Sequence, residues 1–495
     1  MAKMITNSVI DSLSIGYALL GTQPKTPLLS PQKYTKNLFD VIIIGAGVVG
    51  CAMARRFTLE GAKVAIVEKA SDILDGASKA NSAILHTGFD APPGSLELQC
   101  VQAGYREYES IRDELGLVQE KSGALVVAWS PKDLAGLEAI QNQAHDNGVQ
   151  EVTFLDRAAL RKQEPNLSQA ALGALFVQGE SIIDPWSAPY AYLHQALENG
   201  ARSYLSCAIT NGEFDGEVWS FETSAGVLRS RAVINCAGLY GDLVDQALLG
   251  QSQFHITPRK GQFVVFDKAA SALVSSVILP VPNATTKGVV LFRTVFGNLV
   301  VGPTAEDQES REDSSCDADT LQALLAEALQ KLPALAEMPV TATYAGLRPA
   351  SEQKVYRIET RADMNWITVG GIRSTGLSAS LGIAAHVFDL YSTFGRTHAP
   401  LQRPETPQAN VLADCGPRGW KEAGNSEIVC HCELVTRREI EAALKGPLRA
   451  RSLAGLKRQT RATMGRCQGF YCSARLSELT TGMIDPPIAK EILRD

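Results

Sequence analysis

The sequence of 495 residues predicts a mixed α/β (α+β) fold with two large interleaved units and a small C-terminal module. Three observations predict this arrangement. Four consecutive β-branched residues, 41–44, lead into a glycine-rich turn and an apolar helix, as in a doubly wound α/β unit. Short apolar stretches between residues 254 and 302 indicate an antiparallel sheet. Four cysteines in two close pairs follow a segment rich in proline and glycine, which indicates a separate module after a linker.

The glycine-rich turn is the most informative of these signals. Gly45, Gly47 and Gly50 form a G-x-G-x-x-G pattern between the strand and a helix over residues 51–60. In such a turn the first glycine allows a tight bend, the second lets the backbone approach a pyrophosphate, and the third allows close packing of helix on strand. A second strand, 63–67, ends at Glu68, which lies 18 positions beyond Gly50 and suits a carboxylate that binds ribose hydroxyls. The sequence therefore predicts a Rossmann-like domain that binds a dinucleotide.

Length and charge set the domain organisation and exclude some functions. We expect an N-terminal extension (1–36), a two-part main unit (37–395), a linker (396–425), a cysteine module (426–483) and a tail (484–495), because this length exceeds one ordinary core. A hydrophobic fraction of 45% and a charged fraction of 20% are typical of globular proteins. The net charge of −6, without a basic surface motif, argues against a nucleic-acid partner.

Cellular location follows from what the sequence lacks. It contains no apolar run of the roughly 20 residues that span a bilayer. Residues 1–36 lack the basic start, apolar core and cleavage site of a signal peptide. We therefore expect a cytoplasmic protein with reduced cysteines. Peripheral association with the inner face of the membrane, through a partner, is the alternative.

The remaining elements are placed by pattern. We expect strands at 254–258, 262–266, 288–292 and 298–301, helices at 95–115, 131–147 and 319–332, and a last helix opened by residues 370–382. A strand at 227–235 runs into the small residues Ala237 and Gly238, as expected where a cofactor crosses the ends of strands. The polar loop after Glu68 offers Ser78, Asn81 and Ser82 to a phosphate or a cofactor ring. Ordinary turn formation explains those residues equally well.

Four ordered stretches carry a family resemblance. They are the glycine-rich turn with Glu68, Asn81-Ser82-x-x-x-His86, Gly346-Leu-Arg-Pro349, and Gly371-Ile-Arg-Ser-Thr-Gly-Leu377. Across residues 38–390 the chain resembles the FAD-dependent oxidoreductases typified by D-amino-acid oxidase. It is most similar to their glycerol-3-phosphate dehydrogenase and L-2-hydroxyglutarate dehydrogenase branch. The resemblance implies an FAD-binding domain interleaved with an antiparallel substrate domain.

The resemblance also implies the cofactor-binding residues. They are Gly45, Gly47, Gly50, Glu68, Ser78, Asn81, Ser82, Ala237, Gly238, Gly346, Arg373, Thr375, Gly376 and Leu377. The N–H groups of residues 370–376, at the start of a helix, would face the N1/O2 edge of the flavin and stabilise the charge of its reduced form. A helix capped by Ser374 and Thr375 would explain the same residues.

Oxidation of a secondary alcohol needs a base for the hydroxyl proton. His86 corresponds to the active-site histidine of the family, and the ordinary pKa of histidine, about 6.5, suits that role. A buried histidine with purely internal contacts is the alternative. The resemblance implies that Arg348, Lys260 and Ser374 bind an anionic substrate, and the alternative for the two cations is a surface position or an ion pair. Arg293 and Arg373 are further anion-binding candidates.

The C-terminal cysteines predict a redox cluster. Cys430 and Cys432 form a C-x-C pair, and Cys467 and Cys472 form a C-x4-C pair. Four thiolates suit a [2Fe–2S] cluster. Zinc fits the C-x-C spacing poorly, and disulfides would need export. The segment resembles the bacterioferritin-associated ferredoxin type of [2Fe–2S] domain. Ten Lys or Arg against three Glu between residues 430 and 475 indicate either solvated helix faces or a surface for an acidic redox partner.

Together these features predict an FAD-dependent dehydrogenase for a small anionic hydroxy compound. The first choice of substrate is sn-glycerol 3-phosphate, with electrons passed through the [2Fe–2S] cluster to a partner subunit or a quinone. An L-2-hydroxyglutarate dehydrogenase, a subunit of an amine or opine oxidase, and a redox-sensing or iron-handling protein are the alternatives.

Overall fold

A computed structural model describes residues 38–282, 288–424 and 427–489. The expected extension, 1–36, lies outside the described residues, as do residues 490–495 of the expected tail.

The strands, in chain order, are β1 (Leu38–Ile44), β2 (Val64–Val67), β3 (Ile84–Leu85), β4 (Gln119–Glu120), β5 (Ala124–Ala128), β6 (Val152–Asp156), β7 (Gly173–Val177), β8 (Ser181–Ile183), β9 (Arg202–Tyr204), β10 (Ile209–Phe214), β11 (Trp219–Thr223), β12 (Gly226–Asn235), β13 (Ile256–Phe266), β14 (Val277–Pro280), β15 (Val290–Arg293), β16 (Leu299–Gly302), β17 (Glu306–Asp307), β18 (Val340–Ser351), β19 (Arg357–Arg361), β20 (Trp366–Gly370), β21 (Ile428–Cys430) and β22 (Val435–Thr436). The helices are α1 (Val48–Leu59), α2 (Leu96–Leu115), α3 (Pro131–Asp146), α4 (Arg157–Gln163), α5 (Ser187–Glu198), α6 (Gly241–Leu249), α7 (Ala318–Lys331), α8 (Gly376–Ser392), α9 (Arg437–Ala443), α10 (Leu453–Thr460) and α11 (Ser473–Thr480).

The first sheet has a parallel centre in the order β20–β12–β1–β2–β9. Antiparallel strands extend it, with β19 beside β20 and the β10–β11 pair beside β12. Residues 41–44 are buried on both sides because α1, α5 and α8 cover one face of the centre while apolar side chains from β11 and β12 pack on the other. An unbroken β-branched run is what such a strand requires. The predicted Rossmann-like unit is therefore present, with the glycine-rich turn at the carboxyl end of β1.

The second sheet runs in the order β17–β13–β16–β15–β14–β5–β7–β6, with β18 paired to β13 along its full length. Our expectation of separate strands at 254–258 and 262–266 was wrong, because β13 is continuous from Ile256 to Phe266. Pro258 does not interrupt this strand. Its carbonyl faces away from β18 and accepts a hydrogen bond from the N–H of Gln308. An N–H at this position would face the same way, so its absence removes no hydrogen bond between β13 and β18. Strand β14 was also missed.

The C-terminal module contains α9, α10, α11 and the β21–β22 hairpin around its own apolar core. Its predicted small, mainly helical character is confirmed. The segment before it contacts both parts, since Leu412 and Ala413 are buried against the second sheet and Arg418 donates to the carbonyl of Glu433 in the module at 3.0 Å. Across the described ranges 38–282, 288–424 and 427–489, the helices are too short or too polar to cross a membrane.

Candidate active site

The three glycines of the turn have the three different environments that a dinucleotide site requires. Gly45 has a φ of +100°, and a Cβ there would lie 2.6 Å from the carbonyl oxygen of Cys236. A Cβ on Gly50 would overlap the carbonyl oxygen of Gly45, so this glycine lets α1 pack against the turn. A Cβ on Gly47 would meet only the hydroxyl of Ser78, at 3.2 Å. Gly47 therefore leaves room for a ligand to approach the backbone.

Two polar side chains complete the turn. Ser78 accepts a hydrogen bond from the N–H of Val48, in the first turn of α1, at 3.0 Å. Its hydroxyl proton remains available to a phosphate at the positive end of the helix. The carboxylate of Glu68 accepts from the N–H groups of Ala46 and Ala70, both at 2.8 Å. These bonds fix the carboxylate beside the turn, where a ribose would lie.

A cleft of ≈ 420 Å³ extends from this turn to the second sheet. Its size is within the range of small-molecule and cofactor sites, roughly 300–1,000 Å³. Fourteen of the predicted residues line it: Gly45, Gly47, Glu68, Ser78, Asn81, Ser82, Ala237, Gly238, Gly346, Arg348, Arg373, Ser374, Gly376 and Leu377. Four predicted residues do not: Gly50, His86, Lys260 and Thr375. The sequence also missed lining residues from several loops, among them Lys69, Pro185, Tyr240 and Arg311.

The side chain of Asn81 shapes the loop that forms one wall. Its amide oxygen accepts from the N–H of Ala83 at 2.7 Å, and Ala83 has a φ of +57°. The carbonyl of Asn81 accepts from the hydroxyl of Tyr344, on β18, at 3.1 Å. Asn81 therefore holds the loop against the second sheet. Its backbone carbonyl makes the contact with Tyr344 of that sheet, while its side-chain amide bonds within the loop.

The start of α8 forms another wall of the cleft. Its N-cap residue is Thr375, but no side chain caps the helix. The hydroxyl of Thr375 instead donates to Glu97 at 2.7 Å and contacts the hydroxyl of Tyr356 at 2.6 Å. The alternative, a helix capped by Ser374 and Thr375, is therefore wrong, because tertiary partners occupy the threonine and Ser374 is exposed at the cleft. The uncapped N–H groups give this end of the cleft a partial positive charge.

His86 lies beside the cleft, at the end of β3. Its N–H donates to the hydroxyl of Ser378, in the first turn of α8, at 2.8 Å. Its Nδ1 lies 2.8 Å from Oε2 of Glu180, which is fully buried, while the imidazole is 23% exposed. The other oxygen of Glu180 accepts from the N–H and hydroxyl of Thr87 at 2.7 and 2.8 Å. A carboxylate at Nδ1 favours the tautomer with a proton on Nδ1, which leaves Nε2 as a base.

Sequence reasoning missed Glu180. Its position in the sequence could have identified it. Glu180 is a carboxylate just before the apolar residues of β8, and no basic residue lies next to it in the chain to pair with it.

Arg348 extends from β18 over the opposite strand, β13. Its guanidinium lies above Gly261, where a Cβ would approach Nη2 to 2.5 Å and Nη1 to 2.8 Å. Gly261 was also missed, although a glycine within a strand commonly marks a close approach. Burial, with the charges of Arg259 and Arg373, lowers the pKa of Arg348 to about 10. Arg259 is paired with Asp307 at 2.9 Å, whereas neither Arg348 nor Arg373 has a carboxylate partner among the described residues.

Lys260, the residue between Arg259 and Gly261, has a different environment. Its ammonium group is nearly buried and lies 3.1 Å from the carboxylate of Asp313. Asp313 precedes Ser314, which lines the cleft. Lys260 therefore lies near the cleft while paired elsewhere, and its contact with a substrate stays a prediction. Arg293 is paired with Glu120, away from the cleft.

The four predicted ligand cysteines form two thiol pairs in the C-terminal module. The thiols of Cys432 and Cys467 contact each other, as do those of Cys430 and Cys472. Backbone N–H groups of residues 469–471 point at the sulfur of Cys467 and lower its pKa. In the part of the chain that the structure describes, no three His, Cys, Asp or Glu side chains gather as for a single metal ion. Two thiol pairs instead suit a two-iron cluster with four Cys ligands.

The backbone around these cysteines is strained. Leu434, Arg461, Thr463 and Gln468 have φ values between 50° and 69°, in the left-handed region that L-residues rarely adopt. Such strain persists only where the surrounding structure fixes it, and it is common at functional sites. The residue types, their pairing and this rigid support fit a cluster better than they fit zinc.

More than half of the cations in the module are paired with carboxylates of this chain, three of which lie outside the module. Six of its ten cations form ion pairs: Arg437 with Glu441, Arg438 with Glu422, Arg458 with Asp75, Arg461 with Glu433, Arg466 with Asp267 and Arg475 with Glu427. The charge left for a partner is therefore smaller than the sequence count indicates.

Two protein-family models match the chain. A model described as FAD dependent oxidoreductase matches residues 40–390, and one described as BFD-like [2Fe-2S] binding domain matches residues 428–480. This chain belongs to the FAD-dependent oxidoreductase family. It is an oxidoreductase, with FAD and a [2Fe–2S] cluster as its cofactors. The cleft suits FAD through the open backbone at Gly47 and the carboxylate of Glu68, and Cys430, Cys432, Cys467 and Cys472 are the residues suited to the cluster.

Individual relatives of this FAD-dependent oxidoreductase agree with the assignment. A glycerol 3-phosphate dehydrogenase from Caloramator mitchellensis is 33% identical over 450 residues, which are 89% of this chain and 94% of that protein. A mitochondrial L-2-hydroxyglutarate dehydrogenase from Caenorhabditis elegans is 29% identical over 319 residues, or 61% and 73% of the two chains. The FAD-bound, dithionite-reduced L-alpha-glycerophosphate oxidase of Mycoplasma pneumoniae has a TM-score of 0.70 and 24% identity, covering 75% of this chain and 98% of that one. The last likeness establishes the fold.

Proposed function

We propose that this FAD-dependent oxidoreductase is a dehydrogenase that oxidises sn-glycerol 3-phosphate to dihydroxyacetone phosphate. The observation that carries the proposal is the pair of cleft arginines, Arg348 and Arg373, which have no carboxylate partner among the described residues. Two guanidinium groups that line one cleft without a carboxylate partner attract a doubly charged anion, and their planar forks match the oxygens of a phosphate. The 33% identity to a glycerol 3-phosphate dehydrogenase, which covers nearly all of both chains, supports the same substrate.

The base in this proposal is His86. Glu180 accepts a hydrogen bond from the Nδ1–H of His86, so the lone pair of Nε2 takes the hydroxyl proton of the substrate. The two bonds from Thr87 hold the carboxylate in place and keep the ring oriented. When bound, FAD supplies a two-electron acceptor and the [2Fe–2S] cluster a one-electron relay. Ser374, exposed at the cleft, is placed to donate to a substrate oxygen.

Lys260 is the second anion contact in this proposal. Its partner Asp313 is half exposed, so the pair is only weakly stabilised by charge, and a phosphate can compete with that carboxylate for the ammonium group. We expect the pair to separate when substrate binds.

We also propose that electrons leave through the loop that carries Cys467 and Cys472. Between them Phe470 and Tyr471 are 81% and 76% exposed, with their rings in edge-to-face contact 5.2 Å apart. Exposed aromatic rings are frequent at contact sites, since they bury large apolar area at low entropic cost. The acceptor is a redox partner subunit or a quinone. A quinone would require peripheral association with the membrane through a partner.

A second substrate has support of its own. L-2-Hydroxyglutarate carries two carboxylates and a secondary alcohol, so the same arginines could bind it. The relative from Caenorhabditis elegans supports this candidate, although it matches a smaller part of the chain.

Anaerobic titration of the purified holoenzyme, followed by bleaching of the flavin absorbance, separates the candidates. The proposal predicts bleaching by sn-glycerol 3-phosphate at concentrations where glycerol, which has the alcohol without the charge, has no effect. Parallel titrations with L-2-hydroxyglutarate and with amino acids test the other classes. Bleaching by either of those compounds, with none by sn-glycerol 3-phosphate, would overturn the proposed substrate.

A further inference from the structure

Contacts run without a break from the cleft wall to the cysteine module. The first member is Trp186, which directly follows Pro185, a lining residue of the cleft. Its indole N–H donates to the carbonyl of Lys79, another lining residue, at 3.2 Å. The indole therefore begins at the wall of the cofactor site.

The second member is Phe296, which is buried in the second unit. Its ring stacks on that of Trp186 with centroids 5.5 Å apart and planes inclined by only 13°. Both residues belong to one apolar cluster with Phe263, which also lines the cleft. The stack therefore extends the cleft wall inward as continuous aromatic surface.

The third member, Arg461, belongs to the module. The carbon centre of its guanidinium group lies 4.0 Å from the centroid of the Phe296 ring, a close cation–π contact. Its Nε donates to the carboxylate of Glu433 at 2.8 Å, and both side chains are buried. Glu433 follows the cluster ligand Cys432 in the chain. Arg461 keeps this position at a φ of 64°, in the left-handed region that L-residues rarely adopt.

Other bonds, away from Trp186, Phe296 and Arg461, also hold the module on the main unit. The carboxylate of Asp72 accepts from the N–H of Arg451 at 2.9 Å and from the hydroxyl of Ser452 at 2.7 Å. Arg466 pairs with Asp267 at 2.8 Å, at a separate point. The line through Trp186 and Phe296 differs from these bonds because it joins the cleft wall to Glu433, the residue next to Cys432.

We propose that Trp186, Phe296 and Arg461 form the bridge through which electrons pass from the flavin site to the cluster. This inference rests on the electron transfer in the proposed function. Electronic coupling falls steeply across gaps between atoms, so rings in contact couple the sites better than loosely packed side chains would. Each passage moves one electron. Two passages carry the pair that leaves the substrate, and an external one-electron oxidant such as ferricenium removes each electron from the cluster. The protons stay behind, on the base and in solvent.

The test compares Phe296→Leu and Trp186→Leu with the control Ser452→Ala, which removes the hydrogen bond to Asp72, a contact between the units away from the bridge. After rapid mixing with substrate, flavin bleaching is followed by absorbance and cluster reduction by freeze-quench electron paramagnetic resonance. We expect normal bleaching in both leucine variants and cluster reduction roughly tenfold slower, equal to a barrier higher by about 1.4 kcal/mol. Ser452→Ala should change neither rate. Iron content, FAD content and proteolysis within residues 396–425 check that the module stays docked.

Phe296→Tyr keeps the ring and should retain the normal rate of cluster reduction, even if Phe296→Leu loosens the module. Unchanged cluster reduction in both leucine variants would overturn the bridge, as would a tyrosine variant as slow as the leucine variant. If no substrate bleaches the flavin, the proposed function fails, yet the bridge is still tested. Laser-flash photoreduction of the flavin, with EDTA as electron donor, then starts the transfer without a substrate.

Discussion

Replacement of Glu180 by glutamine should reverse one hydrogen bond while preserving the shape of the site. One carboxylate oxygen, Oε1, accepts both bonds from Thr87, and the other faces Nδ1 of His86. A glutamine keeps its oxygen on Thr87 and therefore turns its NH₂ group toward His86. Nδ1 must then accept a hydrogen bond instead of donating one, so the proton of the neutral ring moves to Nε2. The base is lost although the ring stays in place.

The magnitude follows from what a positioned base contributes. General-base catalysis contributes roughly 10²–10⁴ in rate, equal to about 3–5 kcal/mol of barrier. We expect Glu180→Gln to lose most of this and to approach His86→Ala. The stability should change less, because both bonds from Thr87 survive as neutral hydrogen bonds, each worth about 1 kcal/mol.

Stopped-flow bleaching of the flavin under anaerobic conditions measures the effect, with FAD content and melting temperature as checks on folding. Thr87→Val is the matched control, since it removes a donor to Oε1 and leaves the contact of Oε2 with His86 unchanged. It should cost at most a few-fold. Flavin reduction at the normal rate in Glu180→Gln would refute the role of this carboxylate in setting the tautomer of His86.

Three further predictions concern the anion site and the cluster. Arg348→Met should raise the KM roughly 10- to 150-fold, the loss of one charged hydrogen-bonding group worth about 1.5–3 kcal/mol. Because burial lowers the pKa of Arg348 to about 10, the normal enzyme should bind substrate well below that pH and lose affinity as the pH rises through it. Gly261→Ala should also raise the KM, since the new methyl group displaces the guanidinium of Arg348. Cys467→Ser should lose iron and turnover with a one-electron acceptor, while substrate still bleaches the flavin.

Each of these has a distinguishing outcome. KM–pH profiles between pH 7 and 10.5 test the arginine, and Arg348→Met should lack the rise of the normal enzyme near pH 10. Retained affinity in Gly261→Ala, with normal FAD content, would show that the position of the guanidinium does not matter. Iron and sulfide analysis tests Cys467→Ser, and a full iron content would contradict its role as a ligand.

The sequence alone determined the parts of this protein that depend on neighbouring residues. The buried strand, the turn through Gly45, Gly47 and Gly50, and the acid at Glu68 are encoded within 31 consecutive positions, and each has a local physical reason. The spacing of the four ligand cysteines likewise predicts the [2Fe–2S] module. Local patterns of this kind can be recognised because the chemistry requires particular residue types at short, fixed separations.

Which distant residues act together depends on how the chain folds in three dimensions. Glu180 reaches His86 across 94 positions of sequence because β3 and β8 pair in one register. Gly261 lies beneath Arg348 because β13 and β18 pair along their full length. The contact between Phe296 and Arg461 exists only when the module docks on the second unit. Register and docking are set by the sum of many contacts, so no single stretch of sequence specifies them.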